Sequence, residues 1–159
     1  MAFLPPHFQP PTQINTETFL LRPITIHDVI KDYDAVMSSR DHLWERFGEM
    51  WGWPPANLSL EQDMIDLAWH QKEAQLHSSF NYAVISPDQS QLLGCVYVDP
   101  PVIDGTEADV WFWARQSELA GGLESKLEPF ITQWLADHWP FQIVSLNKQV
   151  IQLKPDRTI

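Results

Sequence analysis

Residues 80–98, FNYAVISPDQSQLLGCVYV, decide the fold of this chain. Apolar and β-branched residues dominate both ends of the stretch, whereas its middle, Ser86-Pro87-Asp88-Gln89-Ser90, is rich in turn-forming residues. Such a pattern is typical of two strands joined by a turn. We therefore predict a β-hairpin, and its second strand should end at Asp99-Pro100-Pro101 because proline cannot donate to a strand ladder.

A strand and two helices are predicted before the hairpin. Closely spaced apolar residues at 18–24 favour a strand, and Pro23 places it at an edge or a strand end. Thr25 with Asp28, and Ser59 with Gln62, have the spacing of helix capping boxes. The apolar stripes of the two helices would be Val29, Ile30, Tyr33, Val36 and Met37, and Leu60, Met64, Leu67, Ala68 and Leu76. A shorter helical segment over 40–50 would end before the prolines at 54 and 55.

After the hairpin we predict a strand at 107–115, a helix and a final strand at 141–146. The helix carries an apolar stripe from Leu123 to Leu135, and Pro129 should kink it or delay its start. The order β-α-α-β-β-β-α-β predicts an α/β (α+β) fold with a mixed, mostly antiparallel sheet flanked by helices.

Both ends of the chain are predicted to lie outside this pattern. Residues 1–15 form a proline-rich arm, and residues 147–159 form a short C-terminal tail. The length of 159 residues favours one domain. A sheet that ends at 146 leaves an open edge, so a homodimer or the proline-rich arm should cover it.

The charge of the chain excludes several partners. Ten Lys and Arg against twenty-one Asp and Glu give a formal net charge of −11. Nucleic acids and anionic membranes both attract basic surfaces, so neither is an expected partner. A cationic substrate is favoured instead.

Cysteine count and segment patterns limit the chemistry and location. The single cysteine, Cys95, excludes an intrachain disulfide and a multi-thiolate metal site. His70, Glu73 and His77 could share a helical face, but a polar outer face is favoured over a metal site, so no metal is expected. No apolar run approaches membrane-spanning length, and no secretory signal is recognised, so the expected location is the cytoplasm.

The element order and the local sequence resemble the GNAT superfamily of acetyl-CoA-dependent N-acetyltransferases. The resemblance covers residues 18–146 and is strongest for a short bacterial branch. It rests on the hairpin, on Ala108-Asp109-Val110-Trp111-Phe112-Trp113-Ala114-Arg115 ahead of a glycine-containing loop, and on Trp139-Pro140-Phe141.

The resemblance implies a site for acetyl-CoA. In GNAT proteins a bulge in the strand that matches 107–115 opens backbone groups to the pantetheine arm, and loop amides at the next helix wrap the pyrophosphate. The loop here is degenerate, because Ser117 and Ala120 stand where the family has Arg or Gln and the first Gly, and Glu118 adds a negative charge. The residues that would bind the coenzyme are Trp113, Ala114, Arg115, Leu119, Ala120, Gly121, Gly122 and Asn147.

The same resemblance suggests residues for the acceptor amine. Asp109 matches an acidic strand position and is the candidate catalytic base. Trp51 and Trp53 fall where the family builds its acceptor pocket, although simple packing or an interface explains them equally well. Tyr82 and Tyr97 are candidate pocket walls, with core packing as the alternative. No tyrosine follows Leu146, so the family's thiolate-protonating tyrosine has no counterpart there and the general acid is unassigned.

The sequence therefore predicts an acetyl-CoA-dependent N-acetyltransferase acting on a small cationic amine by direct attack on the thioester. The alternative is a non-catalytic GNAT-like protein that binds an acyl-CoA or another ligand, or that dimerises. A third interpretation is an interaction module with a tryptophan-rich interface.

Overall fold

The predicted hairpin lies at the centre of the protein, for which a computed structural model describes residues 3–155. Its strands, β3 (Phe80–Ile85) and β4 (Leu92–Asp99), are antiparallel. Their register shifts between Val84 and Ile85, so β4 carries an extra residue near Leu93. The hairpin prediction is confirmed.

A single sheet of seven strands forms around this hairpin, with its strands in chain order. The five others are β1 (Ile14–Asn15), β2 (Leu20–Pro23), β5 (Asp109–Ala114), β6 (Ile143–Leu146) and β7 (Gln149–Gln152). All neighbours pair antiparallel except β5 and β6, which are parallel and joined through a helical crossover. The predicted mixed, mostly antiparallel sheet is confirmed.

Within residues 3–155 three helices precede the hairpin, and the shorter segment predicted over 40–50 is one of them. The capping box at Thr25 opens a 3-10 turn that leads into α1 (Val29–Ser38). Next come α2 (Arg40–Trp51), a full helix, and α3 (Leu60–Gln75), where Ser59 caps the Gln62 N–H. Downstream lie α4 (Gln116–Leu119) and α5 (Leu123–His138).

Pro129 lies on the exposed side of α5, while Leu127 and Ile131 anchor the helix on the sheet. The helix begins at Leu123, so Pro129 does not delay its start. The predicted inward face of α3 is wrong at most of its positions. On α3 the buried residues are Asp63 and Leu67, whereas Leu60, Met64 and Leu76 are exposed. The helix is rotated because its acidic face packs toward α1, where Asp32 lies.

Both chain ends also differ from the prediction. Residues 149–152 form β7, so 147–159 is not simply a tail and β7 covers the edge of β6. Asn147 and Lys148 make the turn with φ of 46° and 73°, a left-handed backbone that asparagine tolerates well. Of the N-terminal arm, Ile14–Asn15 pairs with β2 as β1. Residues 156–159 lie outside the described part of the chain.

Each face of the sheet buries its own core. One face packs against α5 through residues such as Val96, Val110 and Leu127, and the arm adds Phe3 and Phe8. The other face packs against α1, α2 and α3 through Phe47, Leu67, Ala83, Cys95, Trp111 and Trp113. The candidate site lies on this second face.

Candidate functional site

A cavity of about 590 Å³ lies between β4 and the helices α1 to α3. We call it the acidic pocket because five carboxylates and a single histidine line it, and no lysine or arginine is among its described lining residues. The acidic residues are Asp32, Asp63, Asp66, Glu73 and Asp99, and the histidine is His70.

Asp32 and Asp63 form a buried carboxyl pair at one end of this pocket. They are 5% and 2% exposed, and Asp32 Oδ1 lies 3.9 Å from the thiol of Cys95. Burial raises the pKa of both carboxyls, and their mutual contact raises the pKa of Asp32 further. Asp32 therefore holds a proton more strongly than Asp63 does.

Asp99 lines the same pocket at the end of β4 and accepts a hydrogen bond from the Ser79 hydroxyl. Burial raises its pKa to about 6; the Ser79 bond opposes this shift, and the neighbouring Asp109 adds to it. A carboxylate of this strength is charged at pH 7 and can accept a proton.

Aromatic side chains wall the pocket. Trp51 stacks on Phe47 with ring centroids 4.6 Å apart, and Trp53 lies 6.4 Å from Trp113. The Trp113 Nε1–H donates to the Tyr97 hydroxyl at 2.7 Å, which fixes the tyrosine. Aromatic faces beside carboxylates suit an organic cation.

Three of the four predicted substrate-binding residues meet here, namely Trp51, Trp53 and Tyr97. Tyr82 does not, and its assignment as a pocket wall is corrected. It lies on the opposite face, packs on Trp134 and donates to the Pro11 carbonyl at 2.7 Å. Alternation along β3 is the reason, since it is Asn81 that faces the pocket.

Asp109 is not among the residues that line the acidic pocket. Its Oδ1 accepts from the Ser145 hydroxyl at 2.8 Å, and its Oδ2 accepts from Trp111 Nε1 at 3.1 Å. It lies directly across the β4–β5 ladder from Asp99. Of these two paired residues, Asp99 is thus the one that lines the pocket.

The second feature of the site is the unpaired edge of β5, which we call the cleft; it runs along Trp111–Ala114 next to Asn147 and the start of α5. β6 pairs with β5 only at Asp109 and Val110 and then ends, so the rest of this β5 edge lacks a strand partner. The bulge predicted at 113–115 is wrong, because β5 keeps a continuous register with β4 up to Ala114. The cleft results instead from the early end of β6.

Side chains of the protein itself occupy this cleft. Asn147 Oδ1 accepts from the Phe112 N–H at 2.9 Å, and its Nδ2 donates to the Phe112 carbonyl at 3.2 Å. Arg46 Nη1 donates to the same carbonyl at 2.9 Å. The Phe112 backbone groups at this edge of β5 are therefore already bonded within the protein.

Glu124 lies at the mouth of the cleft, in the first turn of α5. Its Oε2 accepts from the Ala114 N–H at 3.0 Å and lies 3.3 Å from His42 Nε2, while Oε1 pairs with Arg46. Burial acts to raise the pKa of Glu124, but the bonds from His42, Arg46 and Ala114 outweigh it and lower the pKa to about 2.

The loop before α5 only partly matches a phosphate cradle. Arg115 is buried and donates to the Leu92 carbonyl and to Asp34, so its guanidinium is directed away from the loop. Ala120 has φ of −62° and is unstrained, whereas Gly122 has φ of 80°, where glycine is favoured. Leu119 ends α4, and Gly121 lies in the short connection from α4 to α5.

Together, the strand order, the parallel β5–β6 pair and the β5–loop–α5 unit define the fold of the GNAT acetyltransferases. A ribosomal-protein-S5-alanine acetyltransferase from Vibrio fischeri matches with a TM-score of 0.66 and 13% identity, over 86% of this chain and 73% of that one. RimL, a ribosomal L7/L12 α-N-protein acetyltransferase in complex with coenzyme A, matches at 0.67 and 17%, over 84% and 73%.

A third similar structure is the microcin C7 self-immunity acetyltransferase MccE with acetyl-CoA and AMP, at a TM-score of 0.65 and 10% identity, over 82% of this chain and 69% of that one. No protein-family model and no curated protein sequence matches the chain. At these identities the likeness establishes the fold.

Within residues 3–155 no three His, Cys, Asp or Glu side chains are arranged to hold a metal ion. No helix of the same range is long and apolar enough to cross a membrane.

The sequence interpretation missed the acids of the pocket. Asp32 interrupts the predicted apolar stripe of α1, and Asp63, Leu67 and His70 share one face of α3 at spacings of four and three. A carboxylate inside a buried helical stripe is the signal that could have identified them.

Proposed function

We propose that this protein is an acetyl-CoA-dependent N-acyltransferase that takes a small cationic amine into the acidic pocket. The observation that carries the proposal is Asp99, a carboxylate with a pKa of about 6 in a pocket lined by aromatic rings and lacking lysine and arginine among its described residues. The GNAT fold supports the acyl-transfer chemistry.

Asp99 supplies the base that this reaction needs. An ammonium group must lose a proton before its nitrogen can attack, and the Asp99 carboxylate accepts that proton. The neutral nitrogen then bonds to the thioester carbonyl carbon, the carbon–sulfur bond breaks, and the thiolate leaves with the electron pair. The nitrogen, positively charged after the attack, releases its second proton to solvent, and the thiolate takes up a proton from solvent. Asp109, the base suggested by sequence, acts on Asp99 across the ladder and raises its pKa.

The coenzyme would enter the cleft beside β5. Trp113, Ala114 and Asn147 border that cleft, and Leu119, Ala120, Gly121 and Gly122 form the connection to α5. Glu124 is the anion now held by Arg46 and the Ala114 N–H. A pyrophosphate is recognised by the same kinds of donors, so binding requires it to displace the Glu124 carboxylate.

The second candidate function is non-catalytic binding of an organic cation. The observation that favours it is the occupied cleft, where Asn147 and Arg46 already bond the Phe112 backbone. In that case the acidic pocket binds its ligand and the cleft stays closed.

Release of the coenzyme A thiol from acetyl-CoA tests the proposal, with octylamine and terminal diaminooctane as acceptors. We expect amine-dependent release that Asp99→Asn lowers by about 100-fold or more, the range of general-base catalysis. Asp104→Asn, at an exposed loop position, is the matched control and should leave the rate unchanged. Absence of amine-dependent release with bound acetyl-CoA would support the non-catalytic function instead.

The Asp109→Asn variant tests which of the two carboxylates, Asp99 or Asp109, is the catalytic base. If Asp99 is the base, Asp109→Asn lowers the pKa of Asp99 and shifts the acid limb of the rate to lower pH while activity persists. Loss of activity in Asp109→Asn with full activity in Asp99→Asn would overturn this assignment.

A further inference from the structure

We propose that the acidic pocket recognises a diammonium compound, with one ammonium held by the Asp32–Asp63 pair and the other beside Asp99, across an apolar chain. The proposal deepens the function above by naming the substrate class, and it rests on that function only in taking this pocket as the acceptor site. The binding that it predicts does not require acyl transfer.

The two acidic ends of the pocket are separated along one strand. Asp32 lies against Cys95, and Asp99 is four residues further along β4 on the same face. At the rise of an extended strand this places the two ends about 13 Å apart. A short compound with a single ammonium group cannot contact both acidic ends.

The Asp32–Asp63 end has an acceptor free for a ligand. Asp63 is 2% exposed and lines the pocket, yet its Oδ2 receives no hydrogen bond from any described residue other than the proton that the carboxyl pair can share. A buried carboxylate oxygen without a donor is costly, and an ammonium N–H removes that cost. This unpartnered atom distinguishes the pair from an ordinary acidic surface.

The middle of the pocket suits methylene groups. Between the acidic ends, Tyr97 occupies the β4 position midway from Cys95 to Asp99. Trp51, Trp53 and Leu67 also line the cavity, so an alkyl chain would contact apolar and aromatic surface along its length. Both terminal charges would then meet carboxylates.

The carboxylates also select against other ligand classes. Asp66 and Glu73 line the pocket in addition to the two acidic ends, and its described lining residues include no lysine or arginine. A carboxylate or phosphate ligand would be repelled by this arrangement, and a neutral alcohol would leave Asp63 without an ion partner.

Calorimetric titration of the full chain, without coenzyme, tests the inference. The probes are terminal diaminooctane, terminal diaminobutane and octylamine, each at pH 7. We expect diaminooctane to bind at least tenfold more tightly than either of the others, because only it reaches both acidic ends. Equal affinity for diaminooctane and octylamine would overturn the inference.

Two variants locate the charges. Asp63→Asn and Asp99→Asn should each reduce the affinity for diaminooctane to that for octylamine, while Asp104→Asn, whose side chain is exposed and outside the pocket, should bind as the wild type does. Circular dichroism checks that each variant is folded. Diaminooctane binding that is unchanged in a folded Asp99→Asn would contradict the proposed length requirement.

The two proposals fail in different ways. If acyl transfer is absent but diaminooctane binds as expected, the proposed function is wrong and this inference stands. If acetyl-CoA is consumed with octylamine while diaminooctane shows no preference, the function stands and this inference is wrong.

Discussion

Glu124 accepts a hydrogen bond from the backbone N–H of Ala114 at 3.0 Å and so closes the start of α5 onto the end of β5. Arg46 from α2 completes the contact by pairing with the same carboxylate and with the Phe112 carbonyl. One side chain therefore joins three elements at the point where the fold is expected to admit an anion. Side chains of the protein therefore already bond the Ala114 N–H and the Phe112 carbonyl in the cleft.

Glu124→Gln should make the free energy of unfolding less dependent on pH in the acidic range. The pKa of Glu124 is lowered in the folded state, so its contribution is complete above the ordinary value of 4.5 and is lost as the pH falls through about 2. At pH 7 the free energy of unfolding of the wild type should exceed that of the variant by roughly 1–3 kcal/mol, as expected for a charged hydrogen bond that is partly exposed.

Urea unfolding of both proteins at several pH values measures this difference. Glu128→Gln, at an exposed position of the same helix, is the control and should match the wild type. A wild-type advantage that stays constant from pH 7 down to pH 2 would contradict the Glu124 assignment.

Asp99 should have the opposite effect on stability. Its folded pKa of about 6 exceeds the ordinary value of 3.8, so the folded state binds more protons between these values. Its stabilising contribution is present below pH 3.8 and is lost as the pH rises through 6. The free energy of unfolding should fall by at most about 3 kcal/mol over this range. In Asp99→Asn this loss should disappear, which urea unfolding at pH 4 and pH 7 can measure.

Gly94→Ala should prevent stable folding. A Cβ at Gly94 would lie 2.1 Å from the Trp113 carbonyl oxygen, and this backbone atom cannot move without breaking the β4–β5 ladder. The expected cost is several kcal/mol, seen as loss of the cooperative thermal transition. Gly121→Ala is the matched control, since its nearest neighbour lies at an ordinary 3.7 Å. A Gly94→Ala protein that melts like wild type would show that β4 and β5 are not packed as described.

The turn between β6 and β7 allows side-chain bonding to be separated from backbone strain. Asn147→Gly keeps a residue suited to positive φ but loses both bonds to Phe112, so it should destabilise the protein by about 1–2 kcal/mol. Lys148→Gly loses no such bond and relieves a φ of 73°, so it should be neutral or stabilising by up to about 1 kcal/mol. Thermal melts compare the two, and the reverse order would contradict the described bonding of Asn147.

The sheet could be predicted because its signals are local. Alternating apolar residues and a turn-rich segment determine β3 and β4, and the stripe from Leu123 to Leu135 determines α5. β7 was missed because Gln149–Gln152 has polar ends and an exposed outer side, so it lacks a strand pattern, and only its pairing with β6 defines it.

The site was less predictable, because tertiary packing sets its chemistry. The sequence of α3 favours an inward face through Leu60 and Met64, yet packing against α1 turns Asp63 inward to meet Asp32. Likewise, Glu124 resembles any acidic residue in the first turn of a helix until Arg46 and Ala114 are brought to it. The Arg46–Glu124 contact joins residues 78 positions apart, and no local pattern encodes it.

Calorimetric titration of the wild-type protein with acetyl-CoA tests the central claim most directly, with Glu124→Gln titrated alongside. We expect a dissociation constant of about 100 μM or tighter, roughly −5.5 kcal/mol, and tighter binding when the competing carboxylate is removed. Absence of binding up to millimolar acetyl-CoA in both proteins would contradict the acyltransferase function and leave the acidic pocket as the protein's binding site.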